Sequence, residues 1–281
     1  MNTEKNAKKI THITCKNALS PSRLSGLDYA LNPYRGCIHA CTYCYAPSIL
    51  HEDRPWGSFI DLKENIPKVL AKELRNLQNE KVQRKHNNTN ISIGIGTVTD
   101  AYQAIEKKEL LTRYCLEQLS KFNFKVVIQT KSALVLRDLD LISKMKNAEV
   151  GFTVTSLSLK KIFEPNIETS ENDLFKCARA FSGSGTDVFF FIGPVIPKVT
   201  LQDLDSILNL IKESGAKTVM ADRLRLDKSF ASWNIKQNLL SAYQNAGIDI
   251  SLDEKTCEEE FKIVKNKIVD FCNKNKISFQ E

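Results

Sequence analysis

Three cysteines lie on one short stretch, Cys37, Cys41 and Cys44, in the segment NPYRGCIHACTYCYAP (residues 32–47). Thiolates bind zinc or iron–sulfur clusters, and the C-x3-C-x2-C spacing puts three of them on one loop. Structural zinc usually takes four ligands in two separated pairs, and no second pair follows. A fourth bond from His39, inside the loop, would need a very tight turn. Three such thiolates suit a cubane whose fourth iron stays open, with a small zinc site or incidental cysteines as the alternatives.

The remaining cysteines are far apart in sequence. They are Cys15, Cys115, Cys177, Cys257 and Cys272. The chain has no apolar run of the ~20 residues that a membrane span requires. No apolar segment follows its polar, basic N-terminus, so we expect a cytoplasmic protein without membrane partners. Thiols stay reduced in that compartment, which argues against a disulfide framework.

Polar, glycine or charged residues follow each of several short apolar runs. Thr97, Thr99 and Asp100 follow one run and suit an ammonium group, although Asp100 can equally cap a helix. Lys131 follows the next run and is either a clamp for an anionic ligand or a solvated side chain. The later runs end at Thr153 and Thr155, at Gly193, and at Asp222, Arg223 and Arg225. The last three are substrate-contact candidates or a surface salt bridge, and the two threonines are also explained by β-propensity.

These runs are nearly continuous in hydrophobic residues, as is typical of parallel strands buried on both faces. The predicted strands are Asp28–Arg35, Asn90–Ile95, Lys125–Thr130, Ala148–Thr155, Asp187–Ile192 and Lys217–Ala221. The predicted helices are Lys63–Gln78, Lys107–Lys121, Val135–Lys146, Glu171–Phe181, Leu201–Ser214 and Ser229–Ala246. Six βα units form either a partial barrel or an open doubly wound sheet. Ligands bind at the carboxyl ends of the strands in both.

The sequence C-x3-C-x-Tyr-C resembles the signature of radical S-adenosylmethionine (SAM) enzymes, and NPYRGCxHxCxYCYA is similar to their spore photoproduct lyase-like branch. The resemblance covers residues 28–225. It implies a [4Fe–4S] cluster on Cys37, Cys41 and Cys44 that cleaves SAM reductively, with an external electron donor of the flavodoxin or ferredoxin type. The expected fold is α/β: a partial (β/α)6 TIM-type barrel over residues 28–250, an N-terminal extension (1–27) and a C-terminal helical extension (251–281).

The same resemblance implies roles at the strand ends. Thr97, Thr99 and Asp100 would hold the SAM amino group and Lys131 its carboxylate. Thr153 and Thr155 would reach the ribose, and the segment at Gly193 would pack along adenine. Spore photoproduct lyase has a hydrogen-donating cysteine at the position that Thr97 matches here. A threonine hydroxyl is a far poorer hydrogen-atom donor, so repair of the spore photoproduct is not expected.

The substrate is open at this stage. A net charge of +7 permits a nucleic-acid partner without requiring one. If the substrate is nucleic acid, a basic stretch at Lys81, Arg84 and Lys85, together with Arg223 and Arg225, would contact its backbone. A peptide or small molecule fits equally well, and a non-catalytic metal-binding module is the alternative to an enzyme.

Overall fold

The computed structural model describes residues 9–83, 91–226 and 233–281, and its largest element is a mainly parallel sheet. In the described residues the strands are β1 (Lys9–Ile13), β2 (Leu19–Pro21), β3 (Tyr29–Leu31), β4 (Tyr34–Arg35), β5 (Phe59–Lys63), β6 (Ser92–Ile95), β7 (Lys125–Thr130), β8 (Ala148–Thr153), β9 (Asp187–Val195), β10 (Thr218–Arg223) and β11 (Ser278–Gln280). The main sheet has the order β11-β10-β9-β8-β7-β6-β3-β2, and only β2 joins it antiparallel. The parallel strands β3 and β6 to β10 follow one another in chain order without the reversal of a doubly wound sheet, and the outer strands β11 and β2 do not pair, so the α/β sheet is a partial barrel, as predicted.

Helices follow the strands and cover the sheet. They are α1 (Ala46–Ile49), α2 (Ile66–Gln83), α3 (Glu106–Glu109), α4 (Leu111–Leu119), α5 (Leu139–Ile142), α6 (Lys160–Phe163), α7 (Glu171–Gly183), α8 (Thr200–Glu213), α9 (Trp233–Asn245) and α10 (Glu254–Asn275). A single large core joins buried side chains of the central strands, such as Ile128, Phe152 and Phe190, to those of α2, α4, α7, α8 and α10. Burial on both faces explains why the strand sequences are almost continuously apolar.

The first predicted strand, Asp28–Arg35, is wrong as one element, because the chain turns at Asn32–Pro33. The first part, β3, pairs with β6, and the second, β4, pairs antiparallel with β5 in a small separate sheet. Proline has no N–H to continue a ladder. The predicted first helix begins three residues later than expected, at Ile66, since Lys63 closes β5.

Two further predicted helices are interrupted. The predicted helix Lys107–Lys121 is divided into α3 and α4 at Leu110, whose φ is +57°. There the buried carboxylate of Glu106 accepts hydrogen bonds from the backbone N–H groups of Thr112 (2.9 Å) and Arg113 (3.3 Å). These N–H groups lie in the first turn of α4, where the helix itself offers no acceptor. The predicted helix Val135–Lys146 is instead a 3-10 helix, Ala133–Asp138, followed by the short α5.

Both predicted extensions contribute strands. In the N-terminal segment β1 pairs with β5 and β2 pairs with β3. In the C-terminal segment α10 packs into the main core, and β11 adds a parallel strand beside β10. No helix among the described residues has the length and apolar character of a membrane span.

Candidate functional site

The three clustered cysteines follow β4 on a segment that we call the cysteine loop, residues 36–44. Cys37 is buried, Cys41 and Cys44 are half-buried, and all three are free thiols. Burial raises the pKa of each, to about 11 for Cys44, and the carboxylates of Asp100 and Glu164 raise the pKa values of Cys37 and Cys41 further, respectively, with smaller effects from the neighbouring thiols. Such thiols become thiolates when a cation binds them. The donor set therefore fits a metal cluster.

The arrangement of these sulfurs bears on which metal group fits. Across residues 9–83, 91–226 and 233–281, no group of three or more His, Cys, Asp or Glu side chains is placed to hold one metal ion. A cubane distributes three cysteine ligands over three of its irons, so it does not require convergence on a single ion.

Residues from distant parts of the chain fasten the cysteine loop. Thr99, after β6, donates its hydroxyl to the carbonyl of Gly36 at 2.6 Å, and the two residues are 63 apart in sequence. The Gln103 amide accepts the N–H of Ile38 (3.0 Å) and donates to the same Gly36 carbonyl (3.3 Å). Asn166 donates to the Ile38 carbonyl at 2.9 Å. The loop is thus held by chain that follows β6 and β8.

Asp100 joins the ends of β6 and β7. Its buried carboxylate accepts the Thr130 hydroxyl (2.7 Å) and the backbone N–H groups of Tyr102 and Lys131 (both 2.8 Å). His39 of the cysteine loop lies 3.5 Å away through Nδ1. The carboxylate is therefore already occupied by groups of the chain itself.

Lys131 is part of a buried polar network. Its ammonium donates to Glu164 at 2.8 Å, and the same Glu164 oxygen accepts the hydroxyls of Thr155 (2.8 Å) and Tyr43. Burial raises the pKa of Glu164, but the Lys131 ammonium and the hydrogen-bond donors outweigh burial and hold the pKa below its usual value. For Lys131, burial lowers the pKa, while Glu164 and Cys41 raise it above its ordinary value overall. An ionised pair thus lies beside the cysteine loop.

The other predicted SAM contacts lie at neighbouring strand ends. The Thr97 hydroxyl accepts a hydrogen bond from the Asn32 amide at 3.0 Å, and the Thr153 hydroxyl accepts one from the Gln129 amide at 3.0 Å. Gly193 lies in β9, where an added Cβ would come within 2.2 Å of the Phe191 ring. A side chain at this position would require the Phe191 ring to move.

The charges at the end of β10 pair within the chain. Arg223 donates to Glu254 (2.7 Å) and Glu258 (3.1 Å) of α10, and Arg225 donates to Asp222 at 3.0 Å. The pairing that the sequence left open as a surface salt bridge is therefore present. The basic residues Arg84 and Lys85, and the side chain of Lys81, lie outside the described residues.

Sequence reasoning did not choose Tyr43, Gln103 or Glu164 as site residues. Tyr43 belongs to the cysteine motif itself, and Glu164 is the acidic residue of a Phe-Glu-Pro segment after β8. The only sequence signal for Glu164 was its place downstream of Lys131, the lysine at the end of β7. Its pairing with Lys131 depends on the folding of a loop that follows the next strand.

Comparison with known proteins identifies relatives over most of the chain. An uncharacterised protein of Methanocaldococcus jannaschii is 34% identical over 208 residues, which is 73% of each chain. An uncharacterised protein of Mycobacterium tuberculosis is 30% identical over 236 residues, covering 79% of this chain and 66% of the relative.

Two solved structures share the fold. Spore photoproduct lyase in complex with dinucleoside spore photoproduct superposes with a TM-score of 0.72 at 15% identity, covering 97% of this chain and 82% of the lyase. SuiB of Streptococcus suis bound to S-adenosylmethionine has a TM-score of 0.50 at 13% identity, covering 75% and 43%. At these identities the likeness shows the fold alone.

The sequence profile of the Radical SAM superfamily matches residues 31–211, which include the cysteine loop and the ends of β6 to β9. SAM and an iron–sulfur cluster are the cofactors that this family implies, and its members need an electron donor. Because the match covers more than half of the chain, this protein belongs to the radical SAM superfamily of enzymes.

Proposed function

We propose that this enzyme holds a [4Fe–4S] cluster on Cys37, Cys41 and Cys44, cleaves SAM reductively, and removes a hydrogen atom from a substrate. The observation that carries the proposal is a partly buried loop with three free thiols at the carboxyl edge of a parallel sheet. Held by these three thiolates, the cluster would supply one-electron reduction of SAM with an electron from a flavodoxin- or ferredoxin-type donor, and the products would be methionine and a 5′-deoxyadenosyl radical able to take the hydrogen atom.

The chain holds the start of the cysteine loop by hydrogen bonds and partly shields its sulfurs from water. Thr99 and Gln103 bond the backbone of the cysteine loop at Gly36 and Ile38, on either side of Cys37, and so fix the start of the loop. Burial limits access of water most at Cys37 and less at the half-buried Cys41 and Cys44. Preorganised ligands of this kind lower the reorganisation that binding requires.

For SAM, we assign the carboxylate to Lys131. A lysine ammonium has three N–H donors, and Glu164 takes one of them, so two are available to a ligand. Asp100 then has a positioning role, because it fixes the backbone of Lys131 instead of meeting the ligand directly.

Thr97 and Thr153 remain candidates for SAM contacts. Each hydroxyl accepts a bond from a neighbouring amide and keeps its own O–H to donate. Thr155 and Gly193 complete the proposed contacts with the nucleoside.

Repair of the spore photoproduct is not part of the proposal. That ligand is named for the relative of similar fold, whereas Thr97 stands here where the resemblance places the hydrogen-donating cysteine of that lyase. Arg223, Arg225 and Asp222 stay candidates for substrate contact at the end of β10. To meet a substrate, each would have to exchange its present partner.

The test is anaerobic reconstitution with iron and sulfide, followed by reduction with dithionite in the presence of SAM and measurement of 5′-deoxyadenosine. We expect wild-type protein to bind about four irons and to release 5′-deoxyadenosine slowly without substrate. Cys41→Ala should lose both properties. Cys15→Ala is the matched control, because Cys15 is a half-buried free thiol outside the loop, and it should retain both.

Two outcomes would contradict the proposal. Full iron content in Cys41→Ala would show that the cysteine loop does not bind the cluster. Iron binding without any 5′-deoxyadenosine from an intact, reduced cluster would favour a non-catalytic metal-binding module. Once cleavage is established, DNA, tRNA and cell extract can be screened for a component that accelerates it.

A further inference from the structure

Asn32 lies at the turn that separates β3 from β4, and the backbone of this turn is held from two directions. The Asn32 carbonyl accepts a hydrogen bond from the Lys63 ammonium at 2.9 Å. The carbonyl of the preceding Leu31 accepts the backbone N–H of Gly96 at 3.2 Å, which fastens the turn to the end of β6. The proline that follows Asn32 restricts Asn32 to extended backbone conformations. The Asn32 side chain therefore starts from a fixed position beside the segment that follows β6.

The direction of the Asn32 amide follows from its two hydrogen bonds. The backbone N–H of Val98 lies 3.1 Å from Oδ1 of the amide. A backbone N–H can only donate, so the amide atom that faces it must be the carbonyl oxygen. The NH2 group of the amide then faces the Thr97 hydroxyl, with 3.0 Å between Nδ2 and Oγ1. Because an amide NH2 group can only donate, the Thr97 oxygen is the acceptor of this bond.

The Thr97 side chain is held in one orientation. Its methyl group, Cγ2, lies 3.3 Å from the position that a Cβ would take on Gly94, so it packs in the space that the glycine leaves. The Tyr45 hydroxyl donates to the backbone carbonyl of Thr97 at 2.6 Å. A β-branched side chain also has few favourable χ1 rotamers. The hydroxyl oxygen is thus fixed toward Asn32, and its proton is directed to an acceptor outside this pair.

Resting on the proposed binding of SAM, we infer that Asn32 orients the Thr97 hydroxyl as a hydrogen-bond donor, so that Thr97 meets an oxygen of SAM instead of its amino group. SAM has accepting oxygens in its carboxylate and in its ribose. Its amino group, whether protonated or bound to a metal, has N–H donors and no free lone pair. If that group donated to Thr97, the Thr97 proton would be left without an acceptor. Asn32 is a positioning residue that acts through Thr97.

The test is Asn32→Asp in reconstituted protein, with SAM affinity measured by calorimetric titration. An aspartate has the shape of asparagine and can still accept the Val98 N–H. Its second oxygen can only accept, so it takes the Thr97 proton, and both bonds persist with one of them reversed. A purely structural role of Asn32 predicts unchanged SAM affinity. We expect SAM affinity to fall about threefold to tenfold, the scale of one lost hydrogen bond.

Thr97→Val supplies the control for the added charge. Valine keeps a methyl group beside Gly94 and has no hydroxyl, so it should lower SAM affinity by a similar factor. Thr97→Ser, which keeps the hydroxyl, should bind SAM more tightly than Thr97→Val. In the Thr97→Val background, Asn32→Asp should have no further effect, because no hydroxyl proton is left to redirect. An equal loss of affinity in both backgrounds would assign the effect to charge and overturn the inference.

Decarboxylated SAM separates the two kinds of oxygen. A loss in Thr97→Val for SAM alone assigns the acceptor to the carboxylate, and a loss for both compounds assigns it to the ribose. If Asn32→Asp does not load a cluster, equal SAM affinities of Thr97→Val and Thr97→Ser would still contradict the donor role. Wild-type affinity in Asn32→Asp or in Thr97→Val would overturn the inference and leave the proposed function intact. A reconstituted wild-type protein that does not bind SAM would refute both proposals.

Discussion

Two groups of polar residues at the carboxyl ends of strands differ sharply in their surroundings. After β6 and β7, Asp100 and Lys131 lie at the cysteine loop, and the Asp100 side chain is only 8% exposed. After β10, Arg223 and Arg225 are 24% and 38% exposed and pair with carboxylates that are more exposed still. The two groups look alike in sequence, since both follow a buried parallel strand.

The difference indicates which part of the site is rigid. Asp100 accepts bonds from three donors, one in the segment after β6 and two at the end of β7, so its removal leaves buried N–H and O–H groups unsatisfied. Arg225 bonds a carboxylate three residues away and can exchange that partner for water. The cysteine-loop side thus suits cofactors that must be held in one geometry, whereas the β10 side can adapt to a substrate.

The largest expected effect is on folding stability at the rigid side. Asp100→Ala should lower the free energy of unfolding by about 2–4 kcal/mol, because it leaves three buried hydrogen-bond donors without an acceptor. Asp222→Ala, the equivalent change at the β10 end, should stay within about 0.5 kcal/mol of wild type. Urea denaturation of both variants without cofactors measures their free energies of unfolding. Equal losses of stability would contradict the difference between the two ends of the sheet.

SAM affinity tests the same side with a ligand. Lys131→Ala should weaken SAM binding by about 1–3 kcal/mol, the range for a hydrogen bond to a charged group. Lys125→Ala, at the opposite end of the same strand, should leave SAM binding unchanged, since Lys125 pairs with Glu149. Calorimetric titration of the loaded proteins gives both affinities, and an unaltered value for Lys131→Ala would take that residue out of the site.

The ionic network behind the cysteine loop predicts a pH dependence. Hydrogen bonds from Arg54 and Arg35 lower the pKa of Glu52 from 4.5 to about 2. A depressed carboxyl pKa stabilises the fold above its unfolded-state value, and this contribution is lost as pH falls through the folded-state value. Glu52→Gln should therefore be less stable than wild type at pH 7, with a gap that closes between about pH 4.5 and 2. A gap that is independent of pH would show that the charge contributes nothing.

The smallest effect is expected at the β10 end. Arg225→Ala should change stability by about 0–1 kcal/mol, as for other exposed ion pairs, and raised salt should abolish the difference. SAM cleavage without substrate should be unaffected. Reduced stimulation by a substrate, once one is found, would assign Arg225 to substrate binding, and a loss of basal cleavage would contradict the division between the two sides.

The sequence predicts the central strands well because their composition reflects burial on both faces. The predicted bounds of β7, Lys125–Thr130, are those observed. It misses β1, β2, β5 and β11, which are short strands without a continuous apolar run that stands out from the surrounding chain. It does not predict the turn at Asn32–Pro33, because β4 pairs with β5, and the residues of these two strands are far apart in sequence.

The same limit applies to the site. Spacing alone predicts Cys37, Cys41 and Cys44 as candidate ligands, since a loop motif is local in sequence. The partner of Lys131 is 33 residues away, after another strand and a short helix, and residue type does not specify it. Sequence therefore predicts which chemistry is present more readily than which groups are already paired with one another.

The most direct test of the central claim is Mössbauer spectroscopy of protein reconstituted with isotopically enriched iron, recorded with and without SAM. If three irons are bound by the cysteine loop and the fourth is open, SAM should change the signal of one iron and leave the other three nearly as they were. A spectrum in which no iron responds to SAM, although SAM is bound, would contradict the account.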